Sequence, residues 1–182
     1  MSATEISHCQ LRIGVLMVGV NQLLDIAPVD LLGMLSKDYL SLAGLPTSIQ
    51  DHGLNVEIQY ISDTGGFHGT TAGAALRVTH LLESPHCAPG KLDILLLPGS
   101  DTFTPTENVL KFVQGHSAGQ GTTILAICTG TFTGAHAGIF DGKIATGPRA
   151  FYKELRQQFP LVKWVDRRWA SDGNVWRSAF LD

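Results

Sequence analysis

Residues 122–130 read TTILAICTG, an apolar run that ends in Cys128 and is followed at once by Thr129 and Gly130. A nearly continuous apolar run of this length is typical of a strand buried on both faces of a parallel sheet. In open parallel sheets, ligands bind beyond the carboxyl ends of the strands. The sequence therefore predicts a sharp strand-to-helix turn that carries the Cys128 thiol to the ligand-binding edge of the sheet.

Segments on either side also have strand patterns: two are apolar runs, and the one at 54–61 alternates and is rich in β-branched residues. Three further strands are predicted from LRIGVLMV at 11–18, LNVEIQYI at 54–61 and LDILLL at 92–97. Shorter strands are predicted at 73–80, 162–165 and 174–178, and helices at 23–36, at 106–116, after Thr129 and at 148–158. Strands that alternate with helices indicate βαβ units, so the predicted fold class is α/β with a mainly parallel sheet.

Length and composition restrict the function classes. The 182 residues fit a single domain spanning 1–182. A net charge of −3 gives no basic surplus, so neither nucleic acid nor an anionic membrane is an expected partner. No apolar run reaches the roughly 18 residues that a bilayer span needs, and the N-terminus lacks a signal-peptide pattern. We therefore expect a cytoplasmic protein.

The chain has three cysteines, Cys9, Cys87 and Cys128. A small and odd number of cysteines argues against a disulfide scaffold. No CxxC or HExxH spacing is present, and the adjacent His86 and Cys87 have no further ligand nearby in the sequence. We therefore predict neither a metal nor a cofactor. Cys9 and Cys87 are expected in polar loops.

The predicted turn favours a reactive Cys128. The helix after it would place unsatisfied N–H groups and the positive end of a helix dipole beside the sulfur, lowering the pKa of the thiol. Gly130 would allow the close packing of such an elbow. The N–H of Thr129 could hold a developing oxyanion. The alternative is that Cys128 is a small buried hydrophobic residue, as free cysteines often are.

Four stretches carry a resemblance to a known family: LRIGVLMVGVNQLLDIAPVDLLG from residue 11, LDILLLPGS from 92, LAICTGTFTGAHAGIFDGKIAT from 125 and FPLVKWVDRRWASDGNVWRSA from 159. Together they resemble the ThiJ/PfpI superfamily, a flavodoxin-like group related to class I glutamine amidotransferases. The resemblance spans about residues 11–179. It implies a flavodoxin-like three-layer α/β/α sandwich, a small-molecule substrate and a homodimer.

The resemblance also implies roles for individual residues. Cys128 would be the nucleophile, and backbone N–H groups of Thr129 and of the Gly99–Ser100 turn would form an oxyanion pocket. Asp25 is the candidate acid that touches the thiol. It stands three residues before Pro28, whereas the family's acid often stands four before, so its carboxylate would approach by a different route. The alternative role for Asp25 is to cap its helix.

Departures from the family pattern narrow the chemistry. Peptidase and amidase members carry histidine where Thr129 stands, and the stretch ATGPRAF at 145–151 lacks the histidine that other members carry. His136 is about two helical turns from Cys128, too far to act as its base. Proteolysis and glutamine hydrolysis are therefore not expected.

A thiol with a carboxyl neighbour resembles isocyanide hydratase-like members, which are lyases that add water to an isonitrile to give an N-formamide. Glyoxalase-like hydration of 2-oxoaldehydes is the near alternative. A non-enzymatic redox sensor, chaperone or regulator is the second class of function. The chain ends in SAFLD, where the family continues into a long helix over the sheet, so we also expect an exposed apolar face and consider a truncated, inactive paralogue.

Overall fold

The structure is a computed structural model that describes residues 10–119 and 121–178. Its centre is a seven-stranded sheet in the order β10-β11-β7-β6-β1-β2-β5. The strands are β1 (Gln10–Leu16), β2 (Asn55–Ser62), β5 (His80–Leu81), β6 (Ile94–Leu97), β7 (Thr123–Ile127), β10 (Trp169–Asp172) and β11 (Val175–Ser178). Every neighbouring pair is parallel except β10 and β11. The predicted α/β class with a mainly parallel sheet is confirmed.

Besides this sheet, the described residues form seven α-helices and two small strand pairs. The helices are α1 (Leu23–Ile26), α2 (Pro28–Gly33), α3 (Lys37–Leu42), α4 (Thr47–Gln50), α5 (Glu107–Ala118), α6 (Gly130–His136) and α7 (Tyr152–Gln158). The strand pairs are β3 (Phe67–Gly69) with β4 (Ala75–Arg77), which is antiparallel, and β8 (Ile144–Ala145) with β9 (Lys163–Trp164), which is parallel. None of these helices is long and apolar enough to cross a bilayer.

Several predicted elements differ in detail from those observed. The helix predicted at 23–36 is two short helices, because Pro28 lacks an N–H and begins α2 at its first turn. The strand predicted at 73–80 is interrupted after Arg77 and continues as β5 in the large sheet. The helix predicted at 148–158 begins as a short 3-10 turn over Arg149–Phe151. The prediction that a covering helix is missing concerns the end of the chain, which lies outside the described residues.

Alternate residues of the central strands face the two helical layers. Leu95 and Leu97 of β6 join the cluster that α5 and α6 cover, whereas Leu96 joins the cluster beneath α1 and α2. Four half-buried apolar residues pack against the first cluster and eight against the second, among them Ile94 and Leu125. On the second face Trp176 is also 45% exposed. The sheet thus has helices on both faces, with less complete cover on the α1–α2 face.

The prediction of polar loops for the two other cysteines is wrong for Cys87. Its side chain is fully buried in a 3-10 turn, Pro85–Cys87, and its Sγ donates to Leu81 O at 3.3 Å. Burial raises the pKa of this thiol. Cys87 is therefore a core residue. The polar residues around it in the sequence did not indicate this burial. Cys9 lies outside the described residues.

Candidate active site

The Cys128 elbow joins β7 to α6 through two residues, Cys128 and Thr129. Cys128 has φ of +54°, and among the residues that the structure describes it is the one non-glycine residue in the left-handed region. Such a conformation costs an L-residue roughly 1–2 kcal/mol, and strain of this kind clusters at functional sites. The elbow therefore has the abrupt geometry that the sequence predicted.

Gly130 permits this elbow because it brings the start of α6 onto the end of β6. A Cβ at residue 130 would overlap Leu97 O and would lie 2.8 Å from Leu97 C and 2.9 Å from Pro98 O. These are backbone atoms, which cannot swing away as the tip of a side chain can. The close approach places the turn after β6 directly beside Cys128.

Asp25 contacts the Cys128 thiol from α1. Asp25 is 2% exposed and hydrogen-bonds to the thiol, and its Oδ2 accepts the Gly99 N–H at 2.9 Å. Its side chain does not cap α1, whose N-cap position is Gln22. The structure therefore brings the predicted acid and the predicted nucleophile together and gives Asp25 no capping role.

The protonation of this pair differs from the sequence-based expectation. Burial, together with the negative charge of Asp25, raises the pKa of the Cys128 thiol to about 11, although the Thr129 N–H acts in the opposite direction. Burial also raises the pKa of Asp25, against the hydrogen bonds from Gly99 and Cys128. The predicted low thiol pKa is therefore wrong, because a buried pair resists taking up a second negative charge. Burial and the adjacent carboxyl group thus favour the protonated form of the Cys128 thiol.

The Gly99–Ser100 turn follows β6 and has all four of its backbone polar groups bonded within the site. The Gly99 N–H donates to Asp25, and Gly99 O accepts the Gln22 N–H at 2.8 Å. The Ser100 N–H donates to Thr129 Oγ1 at 3.0 Å, and Thr129 Oγ1 donates back to Ser100 O at 3.0 Å. The predicted oxyanion donors Gly99 and Ser100 are thus adjacent to Cys128, but other acceptors hold their N–H groups.

Sequence reasoning missed Asn21, a fully buried residue on the far side of this turn. Its Nδ2 lies 3.5 Å from Gly99 O, and its Oδ1 has no hydrogen-bond partner among the described residues. Its backbone N–H donates to Gly69 O in the β3–β4 hairpin. The available signal was a pair of polar residues, Asn21 and Gln22, soon after a strand whose carboxyl end meets the ligand-binding edge.

Three aromatic rings line the flank of the elbow. Phe132 lies in the first turn of α6, and its ring centroid is 5.0 Å from that of Phe103 and 5.7 Å from that of Phe151. Phe103 and Phe151 are 5.4 Å apart, and Phe103 is 40% exposed. Phe103 belongs to the loop that leaves the Gly99–Ser100 turn. The loop therefore closes against α6 through an apolar wall.

Histidine chemistry and metal binding find no support in the described part of the chain. The groups that shift the pKa of the Cys128 thiol are Asp25 and the Thr129 backbone, and none is an imidazole. His136 packs edge-on against Phe159, with ring centroids 4.9 Å apart. No cluster of three or more His, Cys, Asp or Glu side chains there could hold a metal ion. The chemistry of the site thus depends on a thiol and a carboxyl group.

Comparison with known proteins identifies the fold and the family. The sequence profile of the DJ-1/PfpI family matches residues 41–181, more than three quarters of the chain, so Asp25 lies outside the matched segment. Curated protein sequences give no match.

Solved structures are similar at low sequence identity. A two-domain protein with DJ-1/ThiJ/PfpI-like and ferritin-like domains from Anabaena variabilis has a TM-score of 0.65 and 18% identity over 93% of this chain. The chain spans 43% of that protein's length. A mutant of a DJ-1 superfamily protein from Salmonella typhimurium has a TM-score of 0.69 and 18% identity over 93% of this chain and 81% of its own. An AraC family transcriptional regulator from Pseudomonas putida has a TM-score of 0.69 and 15% identity over 93% and 83%.

Proposed function

Because the chain belongs to the DJ-1/PfpI family, we propose that it is a cysteine-dependent enzyme that adds water to an isonitrile and releases an N-formamide. The observation that carries the proposal is the direct hydrogen bond between the buried Asp25 carboxyl group and the Cys128 thiol. Burial and the charge of Asp25 raise the pKa of that thiol. Family members differ in activity, so the choice of reaction rests on this pair rather than on the family.

A neutral thiol beside a carboxyl group suits an isonitrile. The isonitrile carbon accepts both a nucleophile and a proton, so the S–H group supplies what the first step needs. The Cys128 Sγ bonds to the isonitrile carbon, and Asp25 passes the thiol proton to the same carbon, which gives a thioimidate. No net charge develops on the pair, and a thiolate formed in advance is unnecessary.

Water completes the reaction. A water molecule adds its oxygen to the thioimidate carbon, one of its protons goes to the substrate nitrogen, and the C–S bond then breaks. The second water proton returns to the sulfur by way of Asp25, so the enzyme is regenerated and one water is consumed per N-formamide. All proton transfers use one carboxyl group, and no cofactor is required.

The alternatives fit this site less closely. A peroxide sensor needs a thiolate, whereas burial and the charge of Asp25 raise the pKa of the Cys128 thiol. Glyoxalase-like chemistry must also move a proton between two carbons, for which the described residues offer Asp25 without a histidine. A regulatory role is a feature of the Pseudomonas putida protein of similar fold and is an outcome of the test below.

The test is turnover of a panel of isonitriles and 2-oxoaldehydes by the purified chain in EDTA. We expect Cys128→Ala to abolish turnover, and Cys9→Ala and Cys87→Ala to retain it. Asp25→Asn should lower turnover by about 10²–10⁴-fold, as loss of a positioned acid–base group does. Its amide oxygen can still accept the Gly99 N–H, so the fold of the turn is preserved. Equal activity in all three cysteine variants would refute the proposal, and turnover of 2-oxoaldehydes alone would favour the glyoxalase-like alternative.

We also propose a cytoplasmic homodimer. Exposed apolar side chains support an interface between copies: Leu31 is 66% exposed, Leu42 85% and Phe67 69%. Light scattering after size-exclusion chromatography should give twice the mass of the chain, and a monomer across the micromolar range would contradict this part of the proposal.

A further inference from the structure

The Thr129 hydroxyl makes two hydrogen bonds to a single residue across the elbow. It accepts the Ser100 N–H at 3.0 Å and donates to Ser100 O at 3.0 Å. Both residues are buried, Ser100 at 8% exposure and Thr129 at 7%. A hydroxyl is a donor and an acceptor at once, so the side chain of Thr129 acts here as a strand backbone would. Valine has the same shape but could make neither bond.

These bonds belong to a closed circuit that passes through the reactive pair. Ser100 is joined through its peptide bond to Gly99, whose N–H is held by Asp25 Oδ2 at 2.9 Å. Asp25 contacts the Cys128 thiol, and Cys128 is followed directly by Thr129. The position of the Gly99 N–H relative to the carboxylate is therefore set from the elbow itself.

We propose that the side chain of Thr129 is a positioning residue that holds the Gly99 N–H on the Asp25 carboxylate and thereby controls how Asp25 and Cys128 share their proton. The inference rests on the proposed function in that the pair performs the chemistry, but it concerns the pair's protonation and can be tested without a substrate. Its direction follows from charge. The Gly99 N–H stabilises ionised Asp25, so loosening the turn should make the carboxyl group harder to ionise.

No other charged side chain complicates the titration of Asp25 and Cys128 in the described residues. Asp25 and Cys128 are the titratable groups that act on one another, and no other charged side chain among the described residues shifts the pKa of either. On the turn itself, Asp101 accepts the Val20 N–H at 2.8 Å and is exposed. The acidic limb of Cys128 reactivity should therefore report the first proton lost by the pair.

The experiment measures alkylation of Cys128 by iodoacetamide as a function of pH, with mass spectrometry to localise the adduct. We expect Thr129→Val to move the midpoint of the acidic limb upward by about one pH unit, the scale of one lost hydrogen bond to a carboxylate. Thr129→Ser keeps the hydroxyl and should restore the wild-type midpoint. Thr131→Val is the matched control. Thr131 is fully buried in the first turn of α6, and its hydroxyl has no hydrogen-bond partner among the described residues.

The outcomes separate the inference from the proposed function. A Thr129→Val profile that superimposes on the wild type overturns the inference, as does an equal shift in Thr129→Ser or in Thr131→Val. If Thr129→Val does not fold, Thr129→Ala is compared with Thr129→Ser by the same readout. A shifted limb in a chain that turns over no isonitrile would keep the inference and reject the proposed function, whereas isonitrile turnover with an unshifted limb would do the reverse.

Discussion

Gly130→Ala tests whether the elbow is built on backbone contact between α6 and β6. Helix propensity alone predicts that alanine at this helical position should stabilise the protein by up to about 1 kcal/mol. The structure predicts the opposite sign. The new Cβ would overlap Leu97 O and crowd Leu97 C and Pro98 O, so either α6 or the end of β6 must move.

The expected magnitude follows from these two opposing effects. Overpacking a tight site costs about 1–3 kcal/mol, and three backbone atoms met at once place Gly130→Ala at the upper end. After the gain in propensity, a net loss of about 2 kcal/mol remains, which lowers the Tm of a domain of this size by about 4–8 °C. Because Cys128 lies within the displaced turn, its alkylation rate should change as well.

Thermal and urea unfolding measure this loss, and Gly69→Ala is the control. A Cβ at Gly69 meets no atom within 4 Å, so that variant should lie within about 0.5 kcal/mol of the wild type. A Gly130→Ala protein as stable as the wild type, or more stable, would show that the elbow does not depend on this contact and would remove the steric explanation of the CTG sequence.

Two further predictions concern stability. Arg177 is 1% exposed, donates to Ile144 O and lies 4.3 Å from the centroid of the Phe140 ring, and burial lowers its pKa to about 10. In urea unfolding we expect Arg177→Met to remain within about 1 kcal/mol of the wild type, because it replaces a costly buried charge by an apolar side chain of similar size, and Arg177→Ala to lose about 3 kcal/mol. Equal losses in the two variants would contradict this prediction. The hydrogen bond and charge of Arg12 lower the pKa of Asp93. The stabilisation that this pair gives to the folded state is therefore present above the unfolded pKa of Asp93 and is lost as pH falls through its lower folded pKa. In Asp93→Asn the free energy of unfolding should depend less on pH below about pH 4, and an unchanged dependence there would exclude this pair as its source.

Three strands of the large sheet, β1, β6 and β7, were predictable because they are apolar runs that are mostly buried, and β2 because it alternates and is rich in β-branched residues. The runs at 11–18, 54–61, 92–97 and 122–128 correspond to β1, β2, β6 and β7, and each lacks the helical spacing that would have made it ambiguous. Residues 37–50 show why other parts were not predictable. Their helices α3 and α4 bury no residue, so no apolar stripe marks them in the sequence.

The structure brings the predicted residues Cys128 and Asp25 together, but the sequence did not predict the hydrogen bonds around them. The pairing of Cys128 with Asp25 followed from a family resemblance, and the structure places the two in contact. No sequence pattern indicates that the Ser100 N–H is taken by a threonine hydroxyl, or the Gly99 N–H by a carboxylate. Those partners depend on side-chain rotamers and on a register between β6 and α6 that the packing of Gly130 sets.

The sign of the thiol pKa shift shows why the elbow alone does not make Cys128 reactive. A helix N-terminus is worth about 0.3–1 kcal/mol to a negative charge, which is less than one pKa unit, and α6 has seven residues. Burial can shift a pKa by several units, and here the adjacent carboxyl group adds to it. Burial and the carboxylate therefore outweigh the dipole, and the thiol keeps its proton until a base removes it.

The elbow and Asp25 consequently contribute different things, and their variants should fail differently. Gly130→Ala should reduce stability and displace the sulfur, whereas Asp25→Asn should leave the turn in place and remove the group that moves the proton. If Asp25→Asn instead reacts with electrophiles as fast as the wild type at neutral pH, the helix end must activate the thiol after all, and a reaction that depends on proton transfer through Asp25 would not apply to this protein.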